Sequence, residues 1–357
     1  MKILHIVPES FTIPHLRYLG STKDILGRIE YFADRALDVD QLVVERSDET
    51  LLERLRSVPL ERYAVVFVEI PVYPLSIEFI RQTSPKTKVI CRSINAELYH
   101  QLHTFLSNST YQWRNGAGVF SSFLSNLRLL KGSHYRLKLD YKCGNASNIL
   151  FSITDWETRY YWNYIVGSKA RNLPYFLPAK YEEEIHSHVG AKEDICVSFM
   201  GVNVGAGSFL ADSLYNFNKL VGGLKDGCPN WRFMATSDTS DVGSDIHLTE
   251  RITTTGFLKS PYPLLSRAKA VAILSPYGYG FKTKILEAIV AGCYVLLPYQ
   301  LKKRLPDMVK PFCIEVDLTS TASFKQALSQ CMEPFPVGNP NTGLKLEAFA
   351  ALDAALQ

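Results

Sequence analysis

AVAILSPYGYGFKTKILEAIVAGCYVLLP, residues 270–298, changes its period twice. AVAILS (270–275) is a short apolar run that stops at Pro276, as a buried strand does. PYGYGFK forms a loop, TKILEAIVA reads as a helix beginning near Thr283, and Gly292 is placed to end it. YVLLP (294–298) then returns to strand. A strand, a helix and a second buried strand are one βαβ unit of an α/β sheet, whose ligands bind at the carboxyl ends of the strands. The loop at 276–282 lies at that edge.

The residues in the loop indicate which ligand suits it. Gly278 and Gly280 let the backbone approach a bound group closely. The helix that follows directs its unsatisfied N–H groups and the positive end of its dipole into the loop, which favours an anion. Lys282 adds a point charge before the helix, and Lys284 adds another. Glu287, one turn in, is expected to face the same space and accept hydrogen bonds from a diol. Phosphate plus ribose, a nucleotide, is the economical ligand. A tight strand-to-helix turn with solvated lysines explains the same residues.

The rest of the chain repeats this alternation. Its 357 residues exceed one ordinary core at about 150 residues per domain, and 46% hydrophobic with 12% aromatic residues describes a packed globular protein. KILHIV (2–7), QLVVE (41–45), AVVFVEI (64–70), KVICRS (88–93) and NILFSIT (148–154) read as strands. Helical stretches at 22–36 and 51–57 lie between them. NLPYFLP (172–178), with two prolines, reads as the linker. The pattern restarts with ICVSFMG (195–201), WRFMAT (231–236), RITTTGF (251–257) and the opening stretch. Two doubly wound, Rossmann-like α/β halves facing a cleft are expected, 1–178 and 179–340, with a helix at 341–357 packing back on the first half.

A net charge of +4 does not argue for nucleic acid. The seven cysteines, at 91, 143, 196, 228, 293, 313 and 331, show no CxxC pair or regular spacing, which disfavours zinc and a disulfide framework. A reducing, cytoplasmic setting is expected. The amino terminus is too short in apolar residues for a signal peptide, and no transmembrane segment is found.

The spacing G-x-G-x-K-x-K-x-x-E-A from Gly278 to Ala288, followed by AGCYVLL, resembles the nucleotide-sugar motif of GT-B glycosyltransferases, especially the retaining family GT4. The resemblance implies that Lys282 contacts the diphosphate and Glu287 the ribose. It also implies that the loop after Gly256, with Phe257, contacts the base, and that no metal is required. CRSINAELYHQLH (91–103) is similar to the family's stretch after the fourth strand at Arg92, Ser93, Asn95 and Glu97. Two positions depart: Tyr279 stands where many members have a second acid, and Ile94 where they have a histidine.

The resemblance thus implies transfer of a sugar from a nucleoside-diphosphate sugar, held by 179–340, to a glycan or lipid-linked acceptor, held by 1–178, in surface polysaccharide or glycoconjugate synthesis. Glu97, Asn95 and Glu9 are the catalytic candidates. Asn95 and Glu97 read equally as a helix cap, and Glu9 as an exposed turn residue. Glu97, His100 and His103 fall at helical spacing that could seat a metal, but surface histidines are the preferred reading. GVNVGAGS (201–208) is a weak second phosphate loop. The segment from Asn115 to Lys142 interleaves basic and apolar residues, which suits peripheral contact with the inner face of an anionic membrane or a solvated helical cover. Two rivals remain: a degenerate, non-catalytic subunit and a nucleotide-sugar epimerase.

Overall fold

The structure, a computed structural model, describes every residue except 115, 117, 189, 199–207, 225–227, 229, 237–246 and 257. At 15, 111, 128, 131, 208 and 210 it describes the backbone alone. The first half runs β1 (Lys2–Pro8), α1 (Gly20–Asp34), β2 (Asp38–Val44), α2 (Asp48–Leu55), β3 (Val65–Val68), α3 (Pro74–Thr83) and β4 (Lys88–Ser93). It continues with α4 (Glu97–Arg114), α5 (Val119–Ala146), β5 (Ile149–Ser152), α6 (Asp155–Glu157), a π-helical stretch (Thr158–Val166) and β6 (Ala170–Asn172).

The second half runs α7 (Ala179–His186), β7 (Glu193–Ser198), α8 (Ser208–Gly223), β8 (Arg232–Ala235), β9 (Ile252–Thr254), α9 (Tyr262–Arg267), β10 (Ala268–Ala272) and α10 (Thr283–Val290). It ends with β11 (Tyr294–Leu297), α11 (Tyr299–Lys302), β12 (Cys313–Glu315), α12 (Thr321–Gln330) and α13 (Pro340–Leu356).

The strands form two six-stranded parallel sheets, ordered β2-β1-β3-β4-β5-β6 and β12-β11-β10-β7-β8-β9. Helices cover both faces of each, so β3 and β5 are buried at every residue and appear in the sequence as unbroken apolar runs. In the second sheet the winding direction reverses between β7 and β10. Ligands of doubly wound sheets bind at such a reversal, and the loop from Ile273 to Lys282 leaves β10 there.

Two strands were not expected, β6 and β12. Each has three residues, too few to show a period. Residues 172–178 nonetheless carry the chain between the sheets, with Asn341 of α13 clamping them. Asn341 accepts from the Leu177 N–H at 2.6 Å and donates to the Leu177 carbonyl at 2.9 Å. Helix α13 lies against α1, where Asp353 accepts from Tyr31 and Arg35, and Lys345 pairs with Glu30.

A buried charge network holds α1 to the first sheet. Asp24 binds Arg92 at 2.9 and 3.0 Å and Arg28 at 2.9 Å; Arg28 also pairs with Glu69, which His5 meets at 2.6 Å. Burial opposes ionisation of Asp24, but the two guanidiniums beside it hold its carboxyl well below the usual range. Arg92 is therefore a structural residue of this core.

Candidate functional site

A cavity of about 420 Å³ opens between the halves at the loop after β10. The first half contributes Gly20, Ser21 and His100, and the second contributes Tyr279, Lys282, Thr283 and Lys284. Two helices begin here. The N-cap positions of α1 and α10, Leu19 and Lys282, provide no side-chain cap, and the two helix ends meet where a Cβ on Gly20 would lie 2.9 Å from Thr283 Cγ2. Two positive dipole ends thus converge on one space.

Lys282 and Lys284 reinforce that charge. Burial, joined by the nearby Arg304 at Lys282 and by Lys23 and Lys282 at Lys284, pushes both ammonium groups down to about 8. Arg304 donates to the Gly278 carbonyl at 2.9 Å and lies 4.3 Å from the Tyr279 ring centre.

The loop itself is pinned by the first half. Gly278 (φ +95°) and Gly280 (φ +78°) adopt backbone conformations that side chains disfavour. A Cβ on Gly280 would collide with Asn95 and the Ile94 carbonyl. The N–H of Gly278 donates to His103 Nδ1 at 2.9 Å, and that of Gly280 to Glu157 Oε1 at 2.7 Å. Tyr279 stacks on Tyr99, ring centres 5.0 Å apart, with His103 and Trp156 also in contact. Asn95, its amide oriented to satisfy both groups, donates to the carbonyls of Ile94 and Tyr279.

Several expected roles change. His100 and His103 are not surface histidines: His100 lines the cavity, and His103 accepts from the loop, so its Nδ1 carries no proton. Burial lowers both to about 4, and both are neutral at pH 7. Among the described residues no group of three His, Cys, Asp or Glu side chains is placed to hold a metal ion. Glu9 is exposed in a short 3₁₀ turn, off the cavity. Gly256 (φ +66°) also lies off it, and Phe257 and the loop at 201–207 fall outside the described residues. Glu97 begins α4 but faces a different, smaller pocket.

Glu287 requires the largest correction. Expected to face the ligand space, it is instead 2% exposed and paired at 2.6 Å with Lys23, itself 1% exposed. Rings of Tyr18, Tyr181 and Tyr262 surround the Lys23 ammonium at 5.1 to 5.7 Å. Glu287 lies one turn into α10, but its side of the helix faces α1. Its second oxygen, Oε1, is buried with no hydrogen-bond partner.

Nothing in the sequence pattern singles out Glu157. It is buried, and besides Gly280 its Oε1 accepts from the Ala96 N–H at 3.0 Å, so one carboxyl joins both halves. Burial raises it to about 7. Its pKa in the unfolded chain is near 4.5, so between these values the folded state holds more proton than the unfolded one. This group's contribution to stability therefore falls as pH rises from about 4.5 to about 7. Glu157→Gln is expected to flatten that part of the stability profile in urea titrations across the window; an unchanged slope refutes the assignment.

No family model matches the sequence, and no curated protein does. Solved structures do match. Sucrose-phosphate synthase from Thermosynechococcus elongatus superposes with a TM-score of 0.57 at 11% identity, covering 100% of this chain and 95% of that one. Anabaena HepE in complex with UDP gives 0.57 at 10%, covering 99% and 95%. UDP-GlcNAc 2-epimerase from Methanocaldococcus jannaschii gives 0.52 at 12%, covering 100% of both. Likeness at this identity establishes the fold, and it is the GT-B arrangement of two facing α/β halves.

Proposed function

We propose that the chain is a glycosyltransferase that takes a sugar from a nucleoside-diphosphate donor to a glycan or lipid-linked acceptor, with retention of configuration, in surface polysaccharide or glycoconjugate synthesis. The observation that supports it is the convergence of two uncapped helix ends and two depressed lysines on one cavity. An ionised diphosphate relieves the mutual repulsion of these groups. As the bond from the anomeric carbon to the diphosphate oxygen breaks, negative charge grows where the positive groups already point. The proposal assigns neutralisation of the leaving group to them, without a metal. HepE binds UDP in a similar fold, but the epimerase shares that fold too, so the reaction class rests on the cavity rather than on the likeness.

A specific observation favours the second reading, a non-catalytic subunit: Glu287, at the motif position for the ribose contact, is buried, paired with Lys23 and absent from the cavity lining. The two readings separate on melting temperature and turnover with a panel of nucleoside diphosphates and their sugars. Stabilisation by one nucleotide with sugar transfer supports the enzyme, and product NMR reads its stereochemistry. Stabilisation without turnover for any acceptor supports a nucleotide-binding subunit, and no stabilisation refutes the enzyme, leaving a subunit that keeps only the fold and partners an active transferase.

The membrane is the second part of the proposal. No helix among the described residues is long and apolar enough to cross a bilayer. Helices α4 and α5 pack as a hairpin, with Trp113, Val119, Phe120, Phe123 and Leu124 exposed around its turn, Phe120 by 74%. From Leu98 to Leu139 the sequence has no carboxylate, yet carries Arg114, Arg128, Lys131, Arg136 and Lys138. Such a surface suits anionic lipid. The chain is expected to sediment with phosphatidylglycerol vesicles and not with phosphatidylcholine alone. Phe120→Ser/Phe123→Ser should cut binding about tenfold or more, each buried ring being worth about 1.5–3 kcal/mol.

A further inference from the structure

A second pocket, of about 160 Å³, opens on the carboxyl edge of the first sheet beside the larger cavity. Arg46 follows β2, Glu97 begins α4, and Arg136 and Asp140 form the roof from α5. Ile94 and Asn95 line both spaces, so the width of that pair separates their contents. The volume lies below the roughly 300–1,000 Å³ that takes drug-sized ligands. A nucleotide does not fit, but one sugar-sized unit does.

The charges narrow its chemistry. Among the described residues neither Arg46 nor Arg136 forms an ion pair. Burial raises the pKa of both acids in the pocket, Glu97 and, more strongly, Asp140, against the opposing pull of Arg136 on each and of Arg46 on Glu97; Asp140 accepts a hydrogen bond from the Tyr161 hydroxyl. A guanidinium keeps its proton throughout this range and offers a planar fork to carboxylate or phosphate. The pocket thus presents two fixed positive charges, neither held in an ion pair by the acids beside them among the described residues.

We propose that this pocket seats the acceptor's terminal unit, and that the unit is an anionic sugar whose phosphate or carboxylate lies between Arg46 and Arg136. The large cavity, one residue pair away, then holds the donor, so the inference rests on the glycosyl-transfer reading above. It adds the acceptor's chemical class, which neither the motif nor the fold specifies.

Glucose 6-phosphate, glucuronate and glucose are the probes, titrated calorimetrically into the full chain with and without the nucleoside diphosphate that stabilises it most. The two charged sugars are expected to bind at least about tenfold more tightly than glucose, as one charge-assisted hydrogen bond would give, and their ranking tells phosphate from carboxylate. Arg46→Gln/Arg136→Gln should abolish the preference while leaving nucleoside-diphosphate affinity unchanged. Should the double variant melt early, Arg46→Gln alone, at an exposed position, carries the test. Equal binding of glucose, a preference that survives substitution, or competition between charged sugar and nucleoside diphosphate would overturn the assignment. Failure of every nucleotide to bind refutes the donor reading instead; intact nucleotide binding with no charge preference refutes only this one.

Discussion

Lys23→Met is expected to lower the unfolding free energy by about 3–5 kcal/mol, because it leaves the Glu287 carboxylate buried with nothing to offset its charge. The double variant Lys23→Met/Glu287→Leu should recover most of that loss, since an apolar pair of similar volume avoids desolvating two ions. Urea titrations of the four members of the cycle measure the coupling. The same proteins address function. If Oε1 of Glu287 grips a pentose, the double variant should bind nucleoside diphosphate no better than inorganic pyrophosphate. If the pair serves only to join α1 to α10, nucleotide affinity stays at the unmodified level, and the ribose contact must come from elsewhere.

Nucleoside-diphosphate affinity is expected to be full below about pH 8 and to fall above it. In the free protein Lys282 and Lys284 lose their protons near 8. A bound diphosphate favours the ammonium forms and raises both values, so binding takes up protons in this range, and affinity declines once the free lysines are neutral. Each charge-assisted hydrogen bond is worth about 1.5–3 kcal/mol, so Lys282→Met should weaken binding about tenfold to a hundredfold and reduce the pH dependence. Calorimetry in buffers of different ionisation enthalpy reads the proton uptake directly. A flat affinity profile across this range would place the diphosphate away from both lysines.

Much of the architecture was legible because parallel strands covered on both faces must be continuously apolar. KVICRS, for instance, reads as the strand it forms, β4. The start of α10 at Thr283 and its stop at Gly292 followed from local backbone preference, and Gly292 does take a positive φ of 76°. The strands missed, ARN and CIE, exist because neighbouring strands pair with them. Three residues carry no pattern of their own.

The site divides along the same line. The glycine loop, the lysines beside it and the helix end behind it are contiguous in sequence, so their common location was determined by the chain alone. Glu287 was misread for a physical reason: spacing along a helix fixes which residues share a face, but not what that face meets. Here it meets Lys23 from the other half. His100 and His103 looked solvated until the closed cleft laid Gly278 and Tyr279 against α4, and Glu157 gained its role only because that closure brought the Gly280 N–H within reach. Local periodicity and backbone preference act over a few residues and determined the elements. Which charges are buried, and against what, depends on how two separately wound sheets dock, and the tertiary structure alone decided that.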